Sequence, residues 1–305
     1  MKQYLETLKE IYEHGCDKQP ARPGMPTTRE LNGLRMVFDL QDGFPVVTTK
    51  KMYWKGIVTE QLWFLRGDTN IKYLVDNNVH IWDYDSFKYY NRLFPQHPLS
   101  KEEFLSKVGE QSVNPHYKYG DCGRVYGYQF RKWENKFDQI QWVIDNIRKN
   151  PDSRYHVVTG WNPSDFLGEN NYNASLPCCP IMFQLFTRTE NDEDFLDMVL
   201  YQRSCDFFLG VPFDISSYSL LLSIIAKMTG YVAGRFTWLG GSCHIYSNHM
   251  TQVEEQLKRS PLPLPRLSIN CDVSEMRPEL WEPSQFELVN YQYKEQIKAP
   301  LSVGV

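Results

Sequence analysis

This sequence predicts an α+β fold, on three observations. Strand-like runs rich in aromatic and β-branched residues gather in the second half, helical periodicities lie before and between them, and the regular strand–helix alternation of a parallel-sheet fold is missing. With 305 residues, 42% of them hydrophobic and 14% aromatic, the chain is long enough to bury one substantial core. A single domain over residues 1–305 is expected.

The elements follow in order. Tyr4, Leu5, Leu8, Ile11 and Tyr12 recur at helical spacing, so an amphipathic helix should end near Gly15. Lys18 to Gly33, with three prolines, two glycines and two arginines, reads as a loop that carries a charged side chain towards a ligand. Ile57 to Leu65 reads as a buried helix closed by Gly67, and it sets Glu60 among apolar neighbours where an ionised carboxylate is costly. Leu93 to Asp121 is a polar surface insertion with a short helical pattern at Glu102 to Val108. Ile140, Val143, Ile144 and Ile147 mark a helix stopped by Pro151, and Tyr155 to Thr159 is strand-like. Ile181 to Thr187 and Phe195 to Tyr201 read as strands joined by a hairpin at Thr189 to Asp194. Ile215 to Met228 is a helix ended by Gly230, followed by a strand at Arg235 to Leu239 and a helix through Leu257.

Composition narrows the function. A formal net charge of -4 argues against a broad nucleic-acid-binding face and leaves room for a local basic pocket. Met1 to Glu13 lacks the apolar centre of a signal peptide, and Leu220 to Ile225 is too short to span a bilayer, so a cytoplasmic protein without a membrane segment is expected. Seven cysteines, an odd number with no spaced pair of metal-ligand type, point to reduced thiols and no metal.

The chemistry concentrates in three stretches. In Tyr201-Gln202-Arg203-Ser204-Cys205-Asp206 an arginine fork and a hydroxyl stand side by side, as a phosphate dianion requires. Leu176-Pro177-Cys178-Cys179-Pro180 offers two thiols, either of which as a thiolate is a nucleophile for an electron-poor ring carbon. Gly241-Ser242-Cys243-His244-Ile245-Tyr246 adds hydrogen-bonding side chains suited to a sugar hydroxyl.

Together with Val211-Pro212-Phe213-Asp214-Ile215, these stretches closely resemble thymidylate synthase and its pyrimidine-modifying relatives over nearly the whole chain. The resemblance implies a mixed β-sheet flanked by helices, a sheet-mediated homodimer with shared active sites, and methylenetetrahydrofolate as co-substrate. The family's nucleophile precedes a glutamine by five residues, and Gln184 places it at Cys179; the Pro-Cys dipeptide taken alone would place it at Cys178. Arg22, Arg154, Arg203 and Ser204 match phosphate ligands, with Arg154 donated across the interface and Tyr155 standing where a second arginine is usual. Gln202, His244 and Tyr246 match further substrate contacts, and Glu60 and Tyr126 match residues that organise proton transfer through water. Trp82, Asp206, Gly210 and Lys50 match folate contacts, Lys50 towards the glutamate tail, while Tyr84 and Asp85 depart from the usual pattern.

Asp214 bears on the base. The family carries asparagine here, which donates to uracil O4 and accepts from N3–H; an aspartate accepts from a cytosine amino group instead. On local sequence Asp214 is also a candidate N-cap for the helix starting near Ile215. Pro180 replaces the usual histidine beside the nucleophile, and aspartate at this position resembles the dCMP hydroxymethylases. The expected reaction is one-carbon transfer to C5 of dCMP giving the hydroxymethyl product, with a dCMP methylase, a synthase acting on dUMP and a noncatalytic nucleotide-binding homologue as alternatives. The tail keeps Ile297-Lys298-Ala299-Pro300 but ends in Leu301 to Val305, longer than is usual, which would alter closure over the folate.

Overall fold

The structure is a computed structural model and describes residues 1–19, 24–166 and 173–301. Its central feature is a six-stranded mixed sheet of strand order β1-β2-β6-β5-β4-β3, from β1 (Cys16–Lys18), β2 (Thr28–Asp39), β3 (Val157–Thr159), β4 (Pro180–Glu190), β5 (Glu193–Asp206) and β6 (Val232–Tyr246). Only β5 and β6 run parallel; the other neighbours are antiparallel. A small sheet pairs β7 (Arg266–Ile269) with β8 (Phe286–Val289). The helices are α1 (Lys2–His14), α2 (Trp54–Leu65), α3 (Lys72–Asp76), α4 (Asp83–Leu93), α5 (Lys101–Ser106), α6 (Tyr126–Arg131), α7 (Gln139–Lys149), α8 (Gly210–Thr229) and α9 (Met250–Leu257).

Local chemistry explains most boundaries. α1 buries Tyr4, Leu8 and Ile11 along one stripe. α7 starts where the Asp138 carboxylate accepts from Gln141 N at 3.0 Å, and Pro151 follows its end. The β4–β5 hairpin turns at Asn191 and Asp192, both with positive φ (53° and 62°), the two-residue turn whose twist matches its strands. α8 ends at Gly230 with φ 83°, a left-handed cap that a side chain would strain.

Two sequence readings are corrected. Thr28 to Gly33, read as loop, belongs to β2, which pairs with β6 from Thr28↔Tyr246 to Asp39↔Arg235; a partner some two hundred residues away leaves no local trace. α8 begins at Gly210, with Pro212 in its first turn where a missing N–H costs nothing, so Asp214 lies inside the helix and does not cap it. The 93–121 segment lies mostly at the surface and carries its short helix near the expected Glu102 to Val108, with a local aromatic core beneath it. α5 is started by a Ser100–Glu103 capping box, and its Phe104 is fully buried against Tyr90 and Tyr119.

α8 packs on β5 and β6 and is flanked by α2 and α7. At 20 residues with hydropathy 1.2 it is long and apolar enough to cross a bilayer, more than the short apolar run suggested, and its burial within the fold identifies it as a core helix.

Candidate active site

The ends of β5, β6 and α8 converge with the start of β4. β5 and β6 are parallel neighbours at the centre of the sheet with Asp206 opposite His244, so their C-terminal ends bring Arg203, Ser204, Asp206, His244 and Tyr246 to one end of it. α8 follows directly, and its first residue, Gly210, sits between two carboxylates. A Cβ there would lie 3.6 Å from Asp206 Cβ and 3.9 Å from Asp214 Oδ2, which places the start of α8 against both side chains.

Cys178 and Cys179 are distinguished by surroundings. Cys178 is buried against Gly160 and Phe130, and burial drives its thiol far up. Cys179 is partly accessible; burial pushes its thiol to about 11, opposed by the Arg203 guanidinium, whose Nη2 lies 3.9 Å from Sγ. Arg203 also grips the cysteine loop, donating from Nε to the Cys178 carbonyl at 2.8 Å and from Nη2 to the Pro177 carbonyl at 3.0 Å. The Cys179 backbone N–H donates to Tyr126 Oη at 2.8 Å, which fixes the thiol relative to α6. Cys179 is thus the sulfur with access, a cation and a hydrogen-bonded anchor.

Glu60 and Asp214 are two buried carboxyls, and the charge of Glu60 is felt at Asp214. Burial raises the Glu60 carboxyl to about 7, against the Trp82 indole N–H that donates to its Oε1 at 2.6 Å. Burial also raises Asp214 to about 7; Gln202 Nε2, donating to Oδ2 at 2.7 Å, opposes this, and the charges of Glu60 and Asp206 add to it. Both groups therefore exchange protons near neutrality, as acid–base work requires. The Trp82 ring meets Trp63, Phe64 and Tyr126 edge-on, forming a wall beside Glu60.

Other expected residues fall differently. Gln202 is buried, with its oxygen accepting from Trp238 Nε1 and its amide nitrogen facing Asp214 and the Ser204 carbonyl, so its side chain holds Asp214. Lys50 is buried too: Nζ donates to the Phe208 carbonyl at 2.5 Å and lies over the Phe208 ring, and burial pulls its ammonium down to about 7. A side chain held this way is not a free hand for a glutamate tail. Asp206 accepts from Phe208 N and Leu209 N, both at 3.2 Å, and shapes the turn into α8. His244 is mostly buried, which lowers its pKa, with Nδ1 3.3 Å from the Ser242 carbonyl and its ring edge-on to Tyr246. Arg154 is exposed before β3, where Gln184 Nε2 holds its carbonyl. Arg22 and the tail beyond Leu301 lie outside the described residues. Within the tail, the Pro300 carbonyl lies 2.7 Å from His249 Nε2, so the chain end is docked up to that point.

Two residues were missed from sequence. Tyr218 lies one helical turn beyond Asp214, and its buried hydroxyl has no partner among the described residues although it feels the charges of Asp214, Cys178 and Glu60. The i, i+4 spacing on α8 was the available signal. Trp161 lies with its ring 5.2 Å from the Arg203 guanidinium, a contact between distant segments that no spacing reveals. No cluster of three or more His, Cys, Asp or Glu suited to a metal occurs among the described residues. A family model described as thymidylate synthase matches residues 2–303.

Proposed function

The chain belongs to the thymidylate synthase family, whose chemistry is one-carbon transfer from methylenetetrahydrofolate to C5 of a nucleotide, and we propose that here the nucleotide is dCMP and the product 5-hydroxymethyl-dCMP. Asp214 carries the proposal. It is not a helix cap, it stands beside Gly210 in the first turns of α8, and Gln202 already donates to Oδ2, so its free oxygen is an acceptor suited to a 4-amino group.

The residues fit both substrates chemically. Arg203 and Ser204, with Arg154 from a second copy, supply charge and a hydroxyl for the phosphate; His244 and Tyr246 suit the sugar. Trp82 offers a wall for a flat ring, Asp206 an acceptor, and Gly210 the space between. The folate brings one carbon at the oxidation level of formaldehyde.

In the proposed path the Cys179 thiolate, favoured by Arg203, bonds to C6 and makes C5 a nucleophile. C5 gains the one-carbon unit and loses its proton through water towards Glu60, with Tyr126 holding Cys179 in place. Departure of the folate amine leaves an exocyclic methylene; water adds there, and Cys179 leaves C6. The unpartnered Tyr218 hydroxyl beside Glu60 and Asp214 needs a hydrogen-bonding partner, which favours an ordered water in this part of the site. That supports hydration over hydride transfer.

A homodimer fits the sheet surface. Met182 and Phe186 on β4 and Tyr201 on β5 leave an exposed apolar stripe, with Met182 opposite Tyr201 and the 78% exposed Tyr155 nearby in sequence to Arg154. The test is the product mass from dCMP and methylenetetrahydrofolate. A gain of one formaldehyde unit with tetrahydrofolate is expected; a gain of one methylene with stoichiometric dihydrofolate would replace hydroxymethylation by methylation, and turnover of dUMP alone would overturn the dCMP reading.

A further inference from the structure

Behind Asp214 lies a buried relay: Trp238 Nε1 donates to Gln202 Oε1 at 2.8 Å, and Gln202 Nε2 donates to Asp214 Oδ2 at 2.7 Å and to the Ser204 carbonyl at 3.1 Å. Trp238 and Gln202 are fully or almost fully buried. An indole N–H can only donate, so the atom facing it must be the amide oxygen; a carbonyl and a carboxylate can only accept, so the atom facing them must be the amide nitrogen. Three partners from two strands and a helix thus agree on one orientation of Gln202. Turning the amide over would break all three hydrogen bonds and leave buried groups unpaired.

The strands are shaped to admit this indole. Gln202 on β5 is opposite Gly240 on β6, two residues beyond Trp238, and a Cβ at Gly240 would run into the Trp238 ring and the Cys243 sulfur. Phe207 closes the other side with its ring edge-on to the indole at 5.8 Å.

We propose that Trp238 is a positioning residue for base selection: by locking the Gln202 amide it obliges the inner atom of residue 214 to be an acceptor, so that the outer atom is the one left to read the 4-substituent. This rests on the reading that residue 214 faces the 4-substituent. With aspartate the outer atom is an oxygen, which accepts from a 4-amino group. With asparagine the oxygen must turn inward to Gln202, the NH2 points outward, and the side chain reads a 4-carbonyl. Without the lock an asparagine is free to turn over with Gln202 and accept from cytosine. Trp238 therefore makes the identity of one residue a sharp switch.

The test compares kcat/KM for dCMP and dUMP in wild type, Trp238→Phe, Asp214→Asn and Asp214→Asn/Trp238→Phe, with thermal midpoints as a folding check. Phenylalanine keeps most of the ring and removes the donor. The selectivity ratio should move less than about threefold in Trp238→Phe, because both oxygens of Asp214 accept, whereas adding Trp238→Phe to Asp214→Asn should raise the dCMP:dUMP ratio by roughly tenfold or more. A purely structural tryptophan would lower both activities together and leave the ratio of the Asn background unchanged, which overturns the inference. If Trp238→Phe does not fold, Gln202→Glu fills the same volume and presents an oxygen to residue 214. Combined with Asp214→Asn it should force the asparagine NH2 inward and shift preference to dCMP, and an unchanged preference again overturns the lock. Wild type and Asp214→Asn alone judge the dCMP reading: if both prefer dUMP equally, that reading has failed, while a base switch between them with no effect of the second substitution condemns the lock alone.

Discussion

Replacing Asp214 by asparagine should turn a cytosine site into a uracil site. Gln202 occupies Oδ2 at 2.7 Å, so the new NH2 faces the 4-amino group of dCMP, donor against donor, and both groups are left unpaired. Each buried polar group left unpaired costs about 1–3 kcal/mol. At tenfold per about 1.4 kcal/mol, two such losses lower kcat/KM for dCMP by roughly 10–10⁴. Activity on dUMP should rise, since O4 then accepts from the new donor. Initial rates on both nucleotides at saturating methylenetetrahydrofolate give the ratio. A second arm uses pH. The Asp214 carboxyl is raised from 3.8 to about 7, so the unfolded chain ionises first, and this group lowers stability progressively as pH climbs from about 4 through 7. Asparagine removes that loss, so the variant should gain thermal stability over wild type at pH 8 and not at pH 4. Retained preference for dCMP in Asp214→Asn would refute the reasoning, and a lower melting temperature at pH 8 would show the carboxylate to be a structural anchor.

Three further outcomes follow from the same geometry. Cys179→Ser should lower turnover by roughly 10³-fold or more while dCMP still binds, and Cys178→Ser should be far milder, measured by steady-state rates and equilibrium binding; the opposite ranking would move the nucleophile. Glu60→Gln should lower kcat by about 10²–10⁴ and remove one ionisation near pH 7 from the kcat/KM profile, because burial holds Glu60 at about 7; an unchanged profile would exclude it from proton transfer. Mixing Arg154→Ala with Cys179→Ser protein, each inactive alone, should regenerate activity through heterodimers with one intact site, and no recovery despite demonstrated subunit exchange would count against a donated arginine.

Local physics accounts for what could be read from the chain. Apolar spacing in α1 and α7, the left-handed Gly230 and the two-residue turn at Asn191-Asp192 all act within a few residues, so sequence alone determined those elements and the α+β class. Residue types and their order, through the family resemblance, were the source of the candidates Glu60, Arg203 and Asp214. Tertiary structure decided the rest, because the deciding contacts join distant segments. β2 exists through its pairing with β6, Lys50 is taken up by the Phe208 carbonyl, and Cys179 is separated from Cys178 by access, by Arg203 and by Tyr126. Asp214 shows the division most plainly: its carboxylate was visible in the sequence, but which of its oxygens is free to meet a base depends on an amide from β5 held by an indole from β6, and hydrogen-bond direction is fixed only once the partners meet.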